Sequence, residues 1–324
     1  MDNLSSIRKP VEADIIEFEK HFRNSLNSKV PLLEIITNYV IRRKGKQIRP
    51  LFVFLTAKML GEINKATFTA ATLIELLHNA SLVHDDVVDE SYERRNHFSI
   101  NAIWKSKIAV LLGDYFLSRG LLVAVADKQY ELLETVSVAV QEMSEGELLQ
   151  IQTSKSSLIN IDVYFNVIQK KTASLIAACT KCGAQSVTPN TEVQEKLKEF
   201  GIFTGIAFQI KDDLLDYQKT GLTGKPMGND IKEKKYTLPL ILALNNCEKS
   251  ERRRIIKLVN NNDSSSKKIK EVIEFVTRNN GIIESEKYLS EYKTKALNIL
   301  SEFPTNEANT SLSALVDYVI LRTN

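Results

Sequence analysis

The sequence predicts an all-α, single-domain protein, and three observations carry that prediction. Only 12 Gly and 7 Pro occur among 324 residues, so long stretches lack any helix breaker. Between Leu51 and Glu90 the one breaker is Gly61, and apolar residues recur at positions 70, 73, 74, 77 and 80, the spacing of one helical face. Alternation of the kind a half-buried strand needs is scarce.

Gly45 and Pro50 bracket the segment GKQIRP, which precedes the first long apolar run. Helices are predicted over 66–90, 103–126, 131–153, 160–182, 191–218 and 234–246; several are apolar on more than one face, as helices inside a bundle are. The first ends in LVHDDVVDESYERRN, and the fifth ends in KDDLLDY. Gly221, Gly224, Pro226 and Gly228 then punctuate TGLTGKPMGND, 220–230, a loop straight after the second acidic cluster. NNNDSSSKK, 260–268, reads as a polar connection between C-terminal helices. No period repeats, so one domain is expected over 1–324, with the motifs between about 40 and 245 and further helices over 246–324.

With 43% hydrophobic and 26% charged residues, the chain can bury a sizeable core. Lys+Arg of 43 against Asp+Glu of 40 leaves +3, too little for a general nucleic-acid binder. The N-terminus lacks the apolar stretch of a signal peptide, and no later run is expected to approach the roughly 18 apolar residues of a membrane span, so a cytoplasmic protein is expected. Cys179, Cys182 and Cys247 give no disulfide framework; the CxxC pair lies in an apolar helical stretch and is expected to be structural.

The chemistry starts with the aspartates. Asp85 and Asp89 share a helix face, as do Asp212 and Asp216. Like charges at i,i+4 oppose the helix by roughly 0.2–0.5 kcal/mol, a penalty that a cation between them removes. Mg²⁺ is the natural candidate, because it is held by one or two carboxylates together with substrate phosphate oxygens. One such cluster alone would read as a solvated helix end. Here there are two, each at the end of an apolar helix, with cations where a diphosphate needs them: Lys46, Arg49, Arg94, Arg95, Lys171, Lys225 and Lys235.

GKQIRP, ELLHNASLVHDDVVDESYERRN, QKKTASLI, GIAFQIKDDLLDY and TGKPMGNDIKEKKYTLPL, in that order and spacing, resemble the successive signatures of the trans-isoprenyl diphosphate synthases, the polyprenyl synthetase family. The resemblance implies two Asp-rich helices facing each other across a cavity, usually in a homodimer. It implies that Asp85, Asp86, Asp89, Asp212 and Asp216 hold magnesium on the allylic diphosphate, and that Arg94, Lys171, Thr172, Gln209, Lys225 and Lys235 contact that diphosphate. Lys46, Arg49, His78 and Arg95 would bind isopentenyl diphosphate. His78, almost two turns before Asp85, and Gln209, three residues before Asp212, share the faces of those aspartates.

The expected reaction is ionisation of an allylic diphosphate and coupling to isopentenyl diphosphate, with Asp85, Asp89, Lys171, Asp212, Lys225 and Lys235 carrying it. The 220–230 loop is expected to order over the diphosphate and bring Lys225 inward. Ala80 and Ser81 lie where short-chain members of the family carry aromatic tunnel floors, with Leu77 deeper. A product of roughly C30 or longer is therefore expected, such as an octaprenyl chain destined for a quinone and released by transient contact with a membrane. A shorter farnesyl or geranylgeranyl product is the alternative. A terpene cyclase has little use for GKQIRP and Arg95, and a non-catalytic subunit of a heteromeric synthase would be expected to have degraded aspartate motifs.

Overall fold

The structure, a computed structural model, describes residues 4–42, 45–90, 92–94, 97–155, 160–218, 228–261 and 265–320. They form a helical bundle whose only strands among the described residues are the two-residue antiparallel pair Glu93–Arg94 and His97–Phe98.

Helices α1 (Leu4–Arg8) and α2 (Glu12–Ser25) flank a 3₁₀ turn, Lys9–Val11. Ile7, Val11, Ile15 and Phe18 recur every three or four residues, and all are buried against the core. After α3 (Pro31–Arg42), helix α4 (Ile48–Leu60) runs through the centre, and Leu51 to Leu55 are fully buried. A helix apolar all round belongs inside, where each such side chain contributes roughly 1.5–3 kcal/mol relative to exposure.

Helix α5 (Lys65–Val88) starts on a capping box, with Asn64 accepting from the amides of Ala66 and Thr67, and ends at the first aspartate cluster. Helix α6 (Ile100–Ala126) packs along it, and the contact depends on small residues: a Cβ on Gly113 would lie 2.1 Å from Nε2 of His84, and one on Gly120 would lie 3.2 Å from Leu73. Lys105 breaks α6 near its start, with φ 70° and ψ 163°.

An 18-residue window of α6 has mean hydropathy 1.8, which corrects the expectation that no segment approaches a membrane span. The correction has a packing reason: α6 lies against α5 on one side while Val110, Leu111, Leu121, Leu122 and Val125 face outward.

Helix α7 (Tyr130–Lys155) precedes the segment expected to be one helix over 160–182. It is instead α8 (Ile161–Ile168), a π turn (Gln169–Ala173) and α9 (Ser174–Gln185). Helix α10 (Thr191–Leu215) meets α9 at Gly201, against Ala177, and the π turn at Gly205, against Ala173, and it ends at the second aspartate cluster. After α11 (Asn229–Lys232), Thr237 and Pro239 delay the next helix, α12 (Leu238–Asn245), relative to the expected start at 234. Helices α13 (Lys249–Asn260) and α14 (Ser266–Arg278) share a second core with α12. Helices α15 (Gly281–Ser301) and α16 (Glu307–Ile320) close the main core. Cys179 and Cys182 are buried thiols, with burial pushing Cys179 up to about 12.

Candidate active site

The C-terminal end of α5 turns Asp85 and Asp89 outward and Asp86 inward, where it is 6% exposed. The i,i+4 pair is thus presented on one face, while Asp86 is turned away from it. Ser81 donates to Oδ2 of Asp85 over 3.3 Å. His84 donates from Nε2 to the Val110 carbonyl over 3.2 Å, tying this end of α5 to α6.

The second cluster separates its carboxylates by task. Asp212 is exposed and lines a cavity of about 310 Å³ together with Lys171, Thr172, Gln209, Asp230 and Lys235. Asp213 is buried and accepts from Tyr164 over 2.6 Å and from the Gln209 amide over 2.9 Å. Asp216 accepts the backbone amides of Asn229 at 3.0 Å and Asp230 at 3.1 Å, so both its oxygens anchor the chain where it returns after 219–227. Asp212 and Asp216 stay one helical turn apart at the end of α10, and the Asp216 carboxylate is held by the start of α11. Gln209, one turn before, donates to Asp213.

Asp230 was not legible as a site residue. It lines the cavity, and burial, reinforced by the charges of Asp213 and Asp216, pushes its carboxyl up to about 7. Burial pushes Asp213 up to about 6 against the hydrogen bonds from Tyr164 and Gln209. Burial is the main cause of both shifts, and the neighbouring carboxylates add to it, which is the electrostatic setting a cation would relieve.

The cations close the cavity from two sides. The π turn carries Lys171, which donates to Gln150 over 2.9 Å and pairs with Glu147. Gly146 permits the close approach: a Cβ there would lie 2.7 Å from the Lys171 amide nitrogen. Thr172 donates to Oε1 of Gln209 over 2.8 Å. Lys235 pairs with Glu233; burial opposes its charge, but Glu233, Asp230 and Asp89 outweigh it and hold the ammonium above its ordinary value.

A second cavity, of about 680 Å³, is lined by Lys46, Arg49 and His78. Gln47 takes a left-handed conformation, φ 52°, which starts α4 immediately after Lys46. The Lys46 ammonium sits over the Tyr318 ring, 5.2 Å from its centroid. Thr172 lines both cavities, so the two meet at the π turn.

Arg94 lies in the first short strand; Arg95 and Lys225 fall outside the described residues, as does most of the glycine-rich loop with its expected closure. Leu77, Ala80 and Ser81 line neither cavity. Ala80 is fully buried in a cluster with Leu112 and Phe116 of α6. Ser81, partly exposed, stays on the Asp85 face. No three His, Cys, Asp or Glu side chains assemble a metal cage among the described residues. A magnesium ion that shares its shell with phosphate oxygens and water does not require one.

The family model for polyprenyl synthetase matches residues 30–276. The all-trans-nonaprenyl-diphosphate synthase (geranyl-diphosphate specific) of Rhodobacter capsulatus is 35% identical over 306 residues, covering 94% of this chain and 93% of that one. The crystal structure of a decaprenyl diphosphate synthase from the same organism superposes with a TM-score of 0.93 at 29% identity, over 99% of this chain and 100% of the other. A polyprenyl synthase of Caulobacter crescentus, solved with calcium and isoprenyl diphosphate, gives a TM-score of 0.90 at 30% identity, covering 99% and 98%.

Proposed function

Because this chain belongs to the polyprenyl synthetase family, we propose that it adds isopentenyl diphosphate successively to an allylic diphosphate, making an all-trans polyprenyl diphosphate of roughly C30 or longer. The observation that carries the reading is the meeting of two cavities at Thr172: one lined by aspartates and lysines, the other by Lys46, Arg49 and His78. A condensation needs two diphosphates held apart with their carbon ends together.

Asp85, Asp89 and Asp212 are the exposed carboxylates and would hold Mg²⁺; Asp216 is occupied by two amides and Asp86 is turned inward. Bound Mg²⁺ would neutralise charge on the departing diphosphate. Lys171 and Lys235 exchange their carboxylate partners for phosphate oxygens, so their charge faces the leaving group as its bond breaks. The C1–O bond of the allylic substrate breaks with its electron pair passing to the diphosphate. The double bond of isopentenyl diphosphate attacks C1, and the resulting tertiary cation loses a proton to the released diphosphate. The second amide hydrogen of Gln209 is left for the leaving oxygen, and Thr172 and Asp213 hold that amide in register between the two cavities. Incorporation of radiolabelled isopentenyl diphosphate with farnesyl diphosphate and Mg²⁺ tests the reading: wild type incorporates and Asp85→Ala does not. Failure of the wild type with every primer, or full activity of the variant, rejects it.

The outward apolar face of α6, with Val138 and Leu148 of α7, supports a homodimer, and a product this apolar supports a cytoplasmic enzyme in transient contact with a membrane.

A further inference from the structure

The motifs assign Lys46, Arg49 and His78 to the larger cavity, but its N-terminal wall comes from residues that precede the matched family region. Arg8, on α1, lines this cavity with them. Its Nη2 donates to the Lys46 carbonyl over 2.5 Å, inside the GKQIRP turn. Its Nε is buried and has no partner among the described residues. The helix is held there by its neighbour Ile7, 1% exposed in the main core, and by packing against α16.

An arginine in that position is costly without an anion. Arg8, Arg23, Lys46 and Arg49 line the cavity against Glu19 and Glu75, four cations to two carboxylates, an excess of two positive charges. A guanidinium has five N–H donors in a rigid fork, and the Lys46 carbonyl takes one of them. We propose that Arg8 is a further substrate-binding residue, which grips the Lys46 carbonyl with one arm and offers its remaining donors to the diphosphate of isopentenyl diphosphate. The proposal rests on the prenyl-transfer reading for the identity of that ligand. It makes α1 part of the substrate site rather than a peripheral brace.

Arg8→Ala and Arg8→Lys would be compared with wild type in two measurements. The first is steady-state kinetics with each substrate varied. The second is calorimetric titration with inorganic pyrophosphate in metal-free buffer. A lost charge-assisted contact predicts a KM for isopentenyl diphosphate raised about 10- to 100-fold in Arg8→Ala, with the allylic KM within about twofold. Arg8→Lys should recover part of that loss, since it keeps the charge without the fork. Equal movement of both KM values, or a lowered Tm with the isopentenyl KM unchanged, would reduce Arg8 to a tie between α1 and the turn and overturn the proposal. If wild type consumes no isopentenyl diphosphate, the reaction assignment fails and the titration decides. Weaker pyrophosphate binding by Arg8→Ala then sustains a diphosphate-binding Arg8, and unchanged binding overturns it.

Discussion

The phenolic hydroxyl of Tyr164 donates to Oδ2 of Asp213 over 2.6 Å, and both groups are buried. Asp213 also accepts from Gln209, whose carbonyl accepts from Thr172, so a chain of hydrogen bonds runs from α8 through α10 to the π turn where the cavities meet. Tyr164→Phe removes the donor and leaves a buried carboxylate oxygen short of a partner, which costs about 1–3 kcal/mol. A fall in Tm together with a reduced kcat is expected, and a variant with unchanged Tm and kcat would show the chain to be incidental.

The same carboxyls predict how stability varies with pH. Asp213 and Asp230 are pushed up to about 6 and about 7 from 3.8, so the folded protein binds protons that the unfolded chain releases. Their contribution is full below the unfolded value and is lost as pH rises through the folded values. The ligand-free protein should therefore lose stability between about pH 4 and 7 through these groups, and Asp230→Asn should flatten that part of the curve. Equal slopes for wild type and variant, read by thermal melts, would contradict the assignment.

Gly146→Ala places a methyl group against the π turn at the Lys171 amide. Overpacking of this kind costs about 1–3 kcal/mol, and displacement of Lys171 should raise the allylic KM. Gly61→Ala is the control, since a Cβ there meets only Val187 at 3.6 Å. If the two variants melt and turn over alike, the close approach has no consequence.

Lys105, at φ 70° and ψ 163°, occupies a backbone region that is essentially glycine's, at a cost of order 1–3 kcal/mol. Lys105→Gly should raise Tm by several degrees, and Lys105→Val should lower it. The reverse order would show that the break in α6 is unstrained.

Much of this was legible in the sequence. The apolar periodicity of 66–90 and 191–218 gave α5 and α10 to within three residues at either end, and the aspartates sit at their ends. The π turn was not legible, because Gln-Lys-Lys-Thr-Ala has ordinary helix formers. It lies where Gly146 lets α7 approach the backbone and where Thr172 bonds Gln209, contacts that local sequence does not show. Asp216 looked equivalent to Asp89, but chain return after the loop hands it two amides that local spacing does not foretell. Asp230 had no signal of its own, since only the folded turn at Gly228, φ 74°, starts α11 and brings it to the cavity. Arg8 had none, since only the folded chain brings α1 to GKQIRP.

Mass spectrometry of the diphosphates made from farnesyl and isopentenyl diphosphates with Mg²⁺ reads the product length itself. Ser81→Phe belongs beside wild type, because Ser81 stays on the Asp85 face, whereas a phenylalanine at Ala80 would overpack the α5–α6 seam. Wild type should give a ladder ending at C30 or longer, and Ser81→Phe a product cut toward C15–C20. A wild-type product that stops at C20, or an active Ser81→Phe with unchanged lengths, would rule out a long chain growing past this helix face.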